Sequence, residues 1–370
     1  MSNPYSNLPP EHYWRSGVAD VNATAMQGMY RKKFDIGFED NIVTAGSCFA
    51  QHVAANMKKN GYNILEVETL PNWIDDDLAK EYGYRIYSAR YGNIYTARQL
   101  VQLIKDCRSG TVRAADVWEK KGRFYDALRP SVEPNGLESV EEVLAHRKNH
   151  FDKLSAMLEA VDVFVFTLGL TEAWERIDSG TVYPTCPGVI AGTFDPAVFR
   201  FVNFNFFDVY NDMVEARRLL LEINPDMRFL FTVSPVPLTA TASGDHVLVA
   251  TTRSKSILRS VCSALTDEFD NVDYFPSYEV ITSPGARSFF YENNLRSVSS
   301  FGVETVMKIF FSEHPPKTGL AEAEAAPATN GKRRKGGGDD KPRQAGRKQK
   351  AGRNKDDVVC EDALLEAFAQ

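Results

Sequence analysis

Five cysteines in 370 residues, Cys48, Cys107, Cys186, Cys262 and Cys360, are an odd number, widely scattered, with no C-x-x-C pair. Neither a disulfide framework nor a zinc site follows from such spacing, and reduced thiols are expected. No apolar run approaches the roughly 20 residues that cross a bilayer. The first residues, MSNPYSNLPPEHYWRSG, carry prolines and charges where a secretory leader would have its apolar segment. A cytoplasmic protein without a transmembrane segment is therefore expected. Histidine is also scarce: His12, His52, His146, His150, His246 and His314 are all the imidazoles the chain has.

What is present is an ordinary apolar fraction, 43 %, enough for a sizeable core in one large domain or two small ones. The net charge of −6 hides an asymmetry. Between Gly331 and Lys355 eleven Lys or Arg stand against two Asp, a local +9 that leaves −15 on the rest. From Pro315 onward Ala, Gly, Pro, Lys and Arg dominate, a composition that cannot bury enough apolar surface to order itself. A disordered tail over 313–370 is expected, its last residues able to form a short amphipathic helix. Without interleaved aromatic side chains for stacking, the tail reads as a solvating segment or electrostatic tether, not a specific nucleic-acid binder.

Residues 1–40 show little periodicity apart from Tyr13, Trp14, Tyr30 and Phe34, and read as an arm wrapped across the domain that follows. From 42 to 60 the chain reads IVTAGSCFAQHVAANMKKN. A β-branched run passes through Ala45-Gly46-Ser47-Cys48 into helical spacing at Phe49, Val53, Ala54 and Met57. Residues 63–67 resemble a second short strand. A turn at Gly92 and Asn93 precedes a helix from near Thr96, a hairpin is expected around Gly122, and Ser139 with Glu142 has capping-box spacing before a helix over 140–158. The runs VDVFVFTL at 161–168 and RFLFTV at 228–233 read as central strands buried on both faces. Helices over 208–223, 249–265 and 303–311 and a strand at 272–275 complete an alternating pattern. The expectation is a three-layer α/β domain over 41–312 with a mainly parallel sheet.

In such a sheet the loops beyond the strand carboxyl ends converge on one crevice. Four loops qualify: the one with Ser47, the one with Gly92 and Asn93, residues 169–172, and residues 234–246. Ser47, at a strand-to-helix turn, is placed either as a helix N-cap or as a nucleophile whose oxyanion the helix N-terminus receives. Cys48 is the alternative nucleophile. His146 and His150, one turn apart, read as a solvated helix face or a metal-ligand pair lacking a third ligand. His12 and His314 are expected at the surface, and His52 is aimed away from Ser47.

The stretch Gly46-Ser47-Cys48-Phe49-Ala50 resembles the signature of the GSCFA family, as do RYGNIYTARQL, FTLGLTEAW, TVSPVPLTATASGDHVLVATTRSKSILR and YFPSYEVI. The resemblance covers roughly residues 35–311. The family in turn resembles the SGNH hydrolases, flavodoxin-like α/β enzymes that cleave or transfer acyl esters, often on carbohydrates. It implies a serine esterase or O-acyltransferase with Ser47 as nucleophile and no cofactor. Its oxyanion hole would be built from the Ser47 or Cys48 amide with Gly92, Gly169 and Thr171, and Asn93, Glu172 and Arg296 would hold substrate. The chain departs from the SGNH pattern where an Asp-x-x-His motif is usual: here Asn293-Asn294-Leu295-Arg296-Ser297 stands. Arg296 cannot accept a proton. Thr171 likewise stands where an oxyanion-hole Asn is usual. His246, after a buried strand, is either the substitute base or a loop histidine with a structural or substrate-binding role, with Glu172 or Asp245 either orienting it or solvated. The alternative is a catalytically inactive domain that binds a glycan or protein partner. The sequence leaves the oligomeric state open.

Overall fold

Side chains of the run at 163–168 alternate between two cores. Val163 and Val165 enter one apolar cluster while Phe164, Phe166 and Leu168 enter another. This is what a central strand of a sheet covered on both sides requires. The structure, a computed structural model, describes residues 3–317 and 361–368. In chain order its elements are β1 (Ile42–Gly46), α1 (Ala50–Lys59), α2 (Asp76–Glu81), α3 (Ala97–Ser109), β2 (Val117–Lys120), β3 (Arg123–Asp126), α4 (Val140–Ala160), β4 (Val163–Leu168), β5 (Glu172–Arg176), β6 (Val182–Tyr183), β7 (Phe199–Asn203), α5 (Phe206–Leu221), β8 (Arg228–Val233), α6 (Val247–Glu268), β9 (Val272–Tyr274), α7 (Ser277–Thr282) and α8 (Ser300–Glu313).

The central sheet runs β1-β4-β8-β9, every pair parallel. Of the short strand expected at 63–67, only a parallel bridge from Ile64 to Ile42 forms, on the outer side of β1. With that segment counted second, the order is 2-1-3-4-5, the doubly wound flavodoxin arrangement. Chain direction across the sheet reverses between β1 and β4, which opens a crevice beyond their carboxyl ends. Helices α3, α4, α5 and α6 cover one face, and α1, α7 and α8 the other. The fold is thus the three-layer α/β domain expected, with a hairpin β2–β3 and a small antiparallel sheet β6-β5-β7 added to it.

Local sequence explains the element ends. Thr96 and Gln99 form a capping box on α3, and the Ser139 hydroxyl accepts from the Glu142 amide at the start of α4. The N-terminal arm packs through Met26, Tyr30 and Ile36, all buried, whereas Tyr13 and Trp14 project into solvent and do not wrap. Tyr30 donates from its hydroxyl to Asp273 Oδ2 (2.8 Å) and lies 3.2 Å from His314 Nε2. Since the phenol proton goes to the carboxylate, His314 Nε2 is the donor to Tyr30. His314 is therefore buried, not at the surface as expected, and the ordered chain continues past it: the Lys317 amide donates to Asn60 O. The expected disorder of the basic tail falls on 318–360, outside the described residues. Residues 361–368 form a 3-10 segment.

The histidine pair on α4 also differs from expectation. His146 is exposed, beside Glu133, as a solvated helix face requires, but His150 is buried, with Nδ1 2.7 Å from Glu68 Oε2. Burial, helped by the nearby Arg129 charge, lowers the His150 pKa to about 4 against the pull of Glu68. The ring is thus neutral, its Nδ1–H donates to the carboxylate, and Nε2 has no hydrogen-bond partner among the described residues. Burial works to raise the Glu68 pKa, yet the His150 hydrogen bond and the Arg129 charge bring it down to about 2. Next to this pair, buried Asp126 joins the hairpin to α4 by binding Arg129 (2.9 Å) and Arg147. Arg147 also donates to Asp116 O (2.9 Å), so hairpin and helix share one ionic core.

Candidate active site

The end of β1 is shaped by backbone contact. Gly46 has φ +126°, and a Cβ there would lie 2.3 Å from Thr167 O of β4, so only glycine fits. This close approach lets the Ser47 amide donate to Thr167 O (3.0 Å), holding Ser47 one step beyond the sheet. The first helical bond follows at once, from the Ala50 amide to Ser47 O (2.9 Å). Ser47 is 2 % exposed, and its Oγ has no hydrogen-bond partner among the described residues. A buried hydroxyl left unpaired costs about 1–3 kcal/mol, so it calls for an explanation.

Ser47 lines a small pocket, open at its mouth, at the reversal between β1 and β4. The wall also includes Cys48, Tyr95, Gly169, Ser234, Lys255 and Arg296. Gly169 passes so close that a Cβ on it would sit 2.8 Å from Ser47 Cβ. Lys255, on α6, is 1 % exposed and donates from Nζ to Gly169 O (2.6 Å). Its neighbour Ser254 accepts the Thr171 amide on Oγ (3.1 Å), so two successive residues of α6 hold the loop after β4. Arg296 is delivered by a tight turn closed by the Tyr291–Val298 bridge, with Leu295 at φ +54°.

Of the residues expected at the site, the structure brings Ser47, Cys48, Gly169 and Arg296 to this one pocket. The others stand elsewhere. Asn93 is buried behind the serine turn, where the Tyr87 hydroxyl lies 2.5 Å from Asn93 Oδ1 and 3.1 Å from Ser47 O. Gly92, with φ +68°, makes the turn that leads Ile94 back to donate to Gly46 O (2.9 Å). Thr171 has its amide on Ser254 and donates from its hydroxyl to Asn203 Oδ1 (2.8 Å), so neither group reaches the pocket. The amides of Ser47 and Gly169, expected as oxyanion donors, are spent on Thr167 O and Tyr95 O (3.2 Å). Glu172 accepts from the Thr241 hydroxyl (2.7 Å), and burial raises its pKa.

His246 is the largest departure. It is exposed at the N-cap of α6, its Nδ1 accepts from the Leu248 amide (3.1 Å), and it is not among the pocket-lining residues. A ring nitrogen engaged on a helix terminus serves the helix. Sequence reasoning did not single out Lys255. A signal existed: Lys255, Leu258, Cys262 and Leu265 fall on one stripe of α6, which places a lysine on the core side.

Among the described residues no helix is long and apolar enough to cross a membrane, and no group of three or more His, Cys, Asp or Glu is placed to hold a metal ion. No curated protein matches this chain. Residues 41–310, the whole doubly wound sheet and both of its helical layers, match the GSCFA family, and the chain belongs to that family.

Proposed function

We propose that this chain is a serine esterase or O-acyltransferase of the SGNH type, acting on an acyl ester, with O-acylated carbohydrate as the substrate class the superfamily resemblance favours. The observation that carries the reading is the Ser47 hydroxyl, buried, without a partner among the described residues, and on the wall of a pocket at the reversal of the sheet. Ser47 Oγ attacks the acyl carbonyl carbon, the carbonyl oxygen takes the negative charge, and the alcohol leaves to give an acyl-serine. Water or a second hydroxyl then takes the acyl group. The Arg296 guanidinium on the pocket wall favours the developing anion by charge. Among the described residues Cys48, Cys107, Cys186 and Cys262 form no disulfide, which fits a reducing, cytoplasmic setting.

The test is covalent. A fluorophosphonate probe is expected to label the wild-type protein, with the adduct on Ser47 by peptide mapping, and to leave Ser47→Ala unlabelled. Aryl-acetate turnover should be lost in the same variant. A binding module without chemistry is the second reading, favoured by the absence of any imidazole from the residues that line the pocket. A folded wild-type protein that takes no probe selects it.

A further inference from the structure

We infer that Lys255 is the base that accepts the Ser47 proton; this rests on the serine reading above. The six histidines leave the position open. His246 caps α6, His150 bonds Glu68, His314 lies under the arm with Tyr30, and none of the six lines the pocket. Among the side chains that do line it, Arg296 is permanently protonated. The Cys48 thiol and the Tyr95 phenol are neutral acids that must lose a proton of their own before they can take one. The Lys255 amine, once neutral, has a lone pair ready.

Lys255 and Ser47 line the same pocket without a hydrogen bond between them, so the proton transfer requires Nζ and Oγ to close on each other as the substrate binds. Gly169 is shared by the two groups: its α-carbon abuts Ser47 Cβ, and its carbonyl accepts from Lys255 Nζ. A neutral amine has two hydrogens and one lone pair. Donation of one N–H to Gly169 O fixes the rotation of the amine, the task an orienting carboxylate performs for a catalytic imidazole. Lys255 is also nearly sealed from water at 1 % exposure. As Ser47 Oγ bonds the acyl carbon, its proton passes to Lys255 Nζ. As the ester C–O bond breaks, the ammonium returns that proton to the leaving alcohol oxygen. No proton or electron pair is left over.

The experiment measures the rate of fluorophosphonate labelling of the full chain against pH. In the wild type the rate should rise with pH along a single ionisation whose midpoint falls steeply on warming, as for an amine. Lys255→Arg keeps the charge and the N–H donors but cannot accept a proton, and should lose about 100-fold or more in rate at a temperature where the variant is still folded by circular dichroism. Lys255→Met should lose as much, together with the ionisation. Labelling of either variant at the wild-type rate and with the wild-type pH profile overturns the inference and leaves the serine reading standing. Should neither variant fold, the wild-type profile decides, because a flat rate from about pH 6 to about 10 overturns it. A wild-type chain that takes no probe overturns both.

Discussion

Mild acid should destabilise this protein through two histidines that are charged only when it is unfolded. The His150 and His314 pKa values are both lowered by burial from about 6.5 to about 4, with the Arg129 and Lys32 charges respectively adding to the effect. In the unfolded chain both rings take up a proton as the pH drops below about 6.5, whereas the folded protein resists until about 4. Between those limits the unfolded state binds more protons, so stability is full above the window and declines as the pH falls through it. From pH 7 to pH 5 each histidine removes about 2 kcal/mol, and the pair about 4, a large part of the 5–15 kcal/mol typical of a folded domain. Urea unfolding followed by circular dichroism at the two pH values measures this difference. His150→Asn keeps a donor toward Glu68 and His314→Gln keeps one toward Tyr30, while neither side chain titrates. Each should roughly halve the decline, and the double variant should nearly abolish it. The reasoning fails if wild type and double variant lose the same stability between pH 7 and pH 5.

Three further substitutions probe the site and its support. Gly46→Ala combines a forbidden φ with a Cβ 2.3 Å from a backbone carbonyl, and should cost about 3 kcal/mol or more, read as a lowered melting temperature or lost soluble protein. Gly169→Ala pushes against Ser47 Cβ at 2.8 Å, and should suppress probe labelling by more than its effect on the melt would explain. Asp126→Asn leaves both Arg147 and Arg129 buried without that carboxylate and should cost about 3–5 kcal/mol in urea unfolding.

What could be read from the residues alone depended on how locally each feature is written. The strands at 163–168 and 228–233 declare themselves because burial on both faces demands an unbroken apolar run. The caps at Thr96 and Ser139 act within three residues, so spacing reveals them. The Ser47 turn was legible for the same reason. Lys255, Arg147 and His150 were not, because a charged or titratable residue inside a helix usually faces water, and only partners far along the chain explain its burial. Lys255 needs Gly169 of another loop, and His150 needs Glu68. His246 misled for a related reason: its position after a buried strand is set by sequence, but the direction of its ring is set by the first turn of α6.

The contact of Tyr30 with Asp273 and His314 spans 243 and 284 residues of chain. Tyr30 is made early by the ribosome and waits for nearly the whole domain before its place exists. Until then the arm has no dock, and β9, the edge strand of the sheet, has neither Tyr30 nor Lys33 on its Asp273. An uncovered edge strand invites pairing with another chain. Closure of this clasp, with the Lys33 amide on Asp273 and the Lys33 ammonium on the carbonyls of Thr266 and Phe269, joins the first and last parts of the domain. Vulnerability to aggregation should therefore be greatest during synthesis and end only when residue 314 has left the exit tunnel.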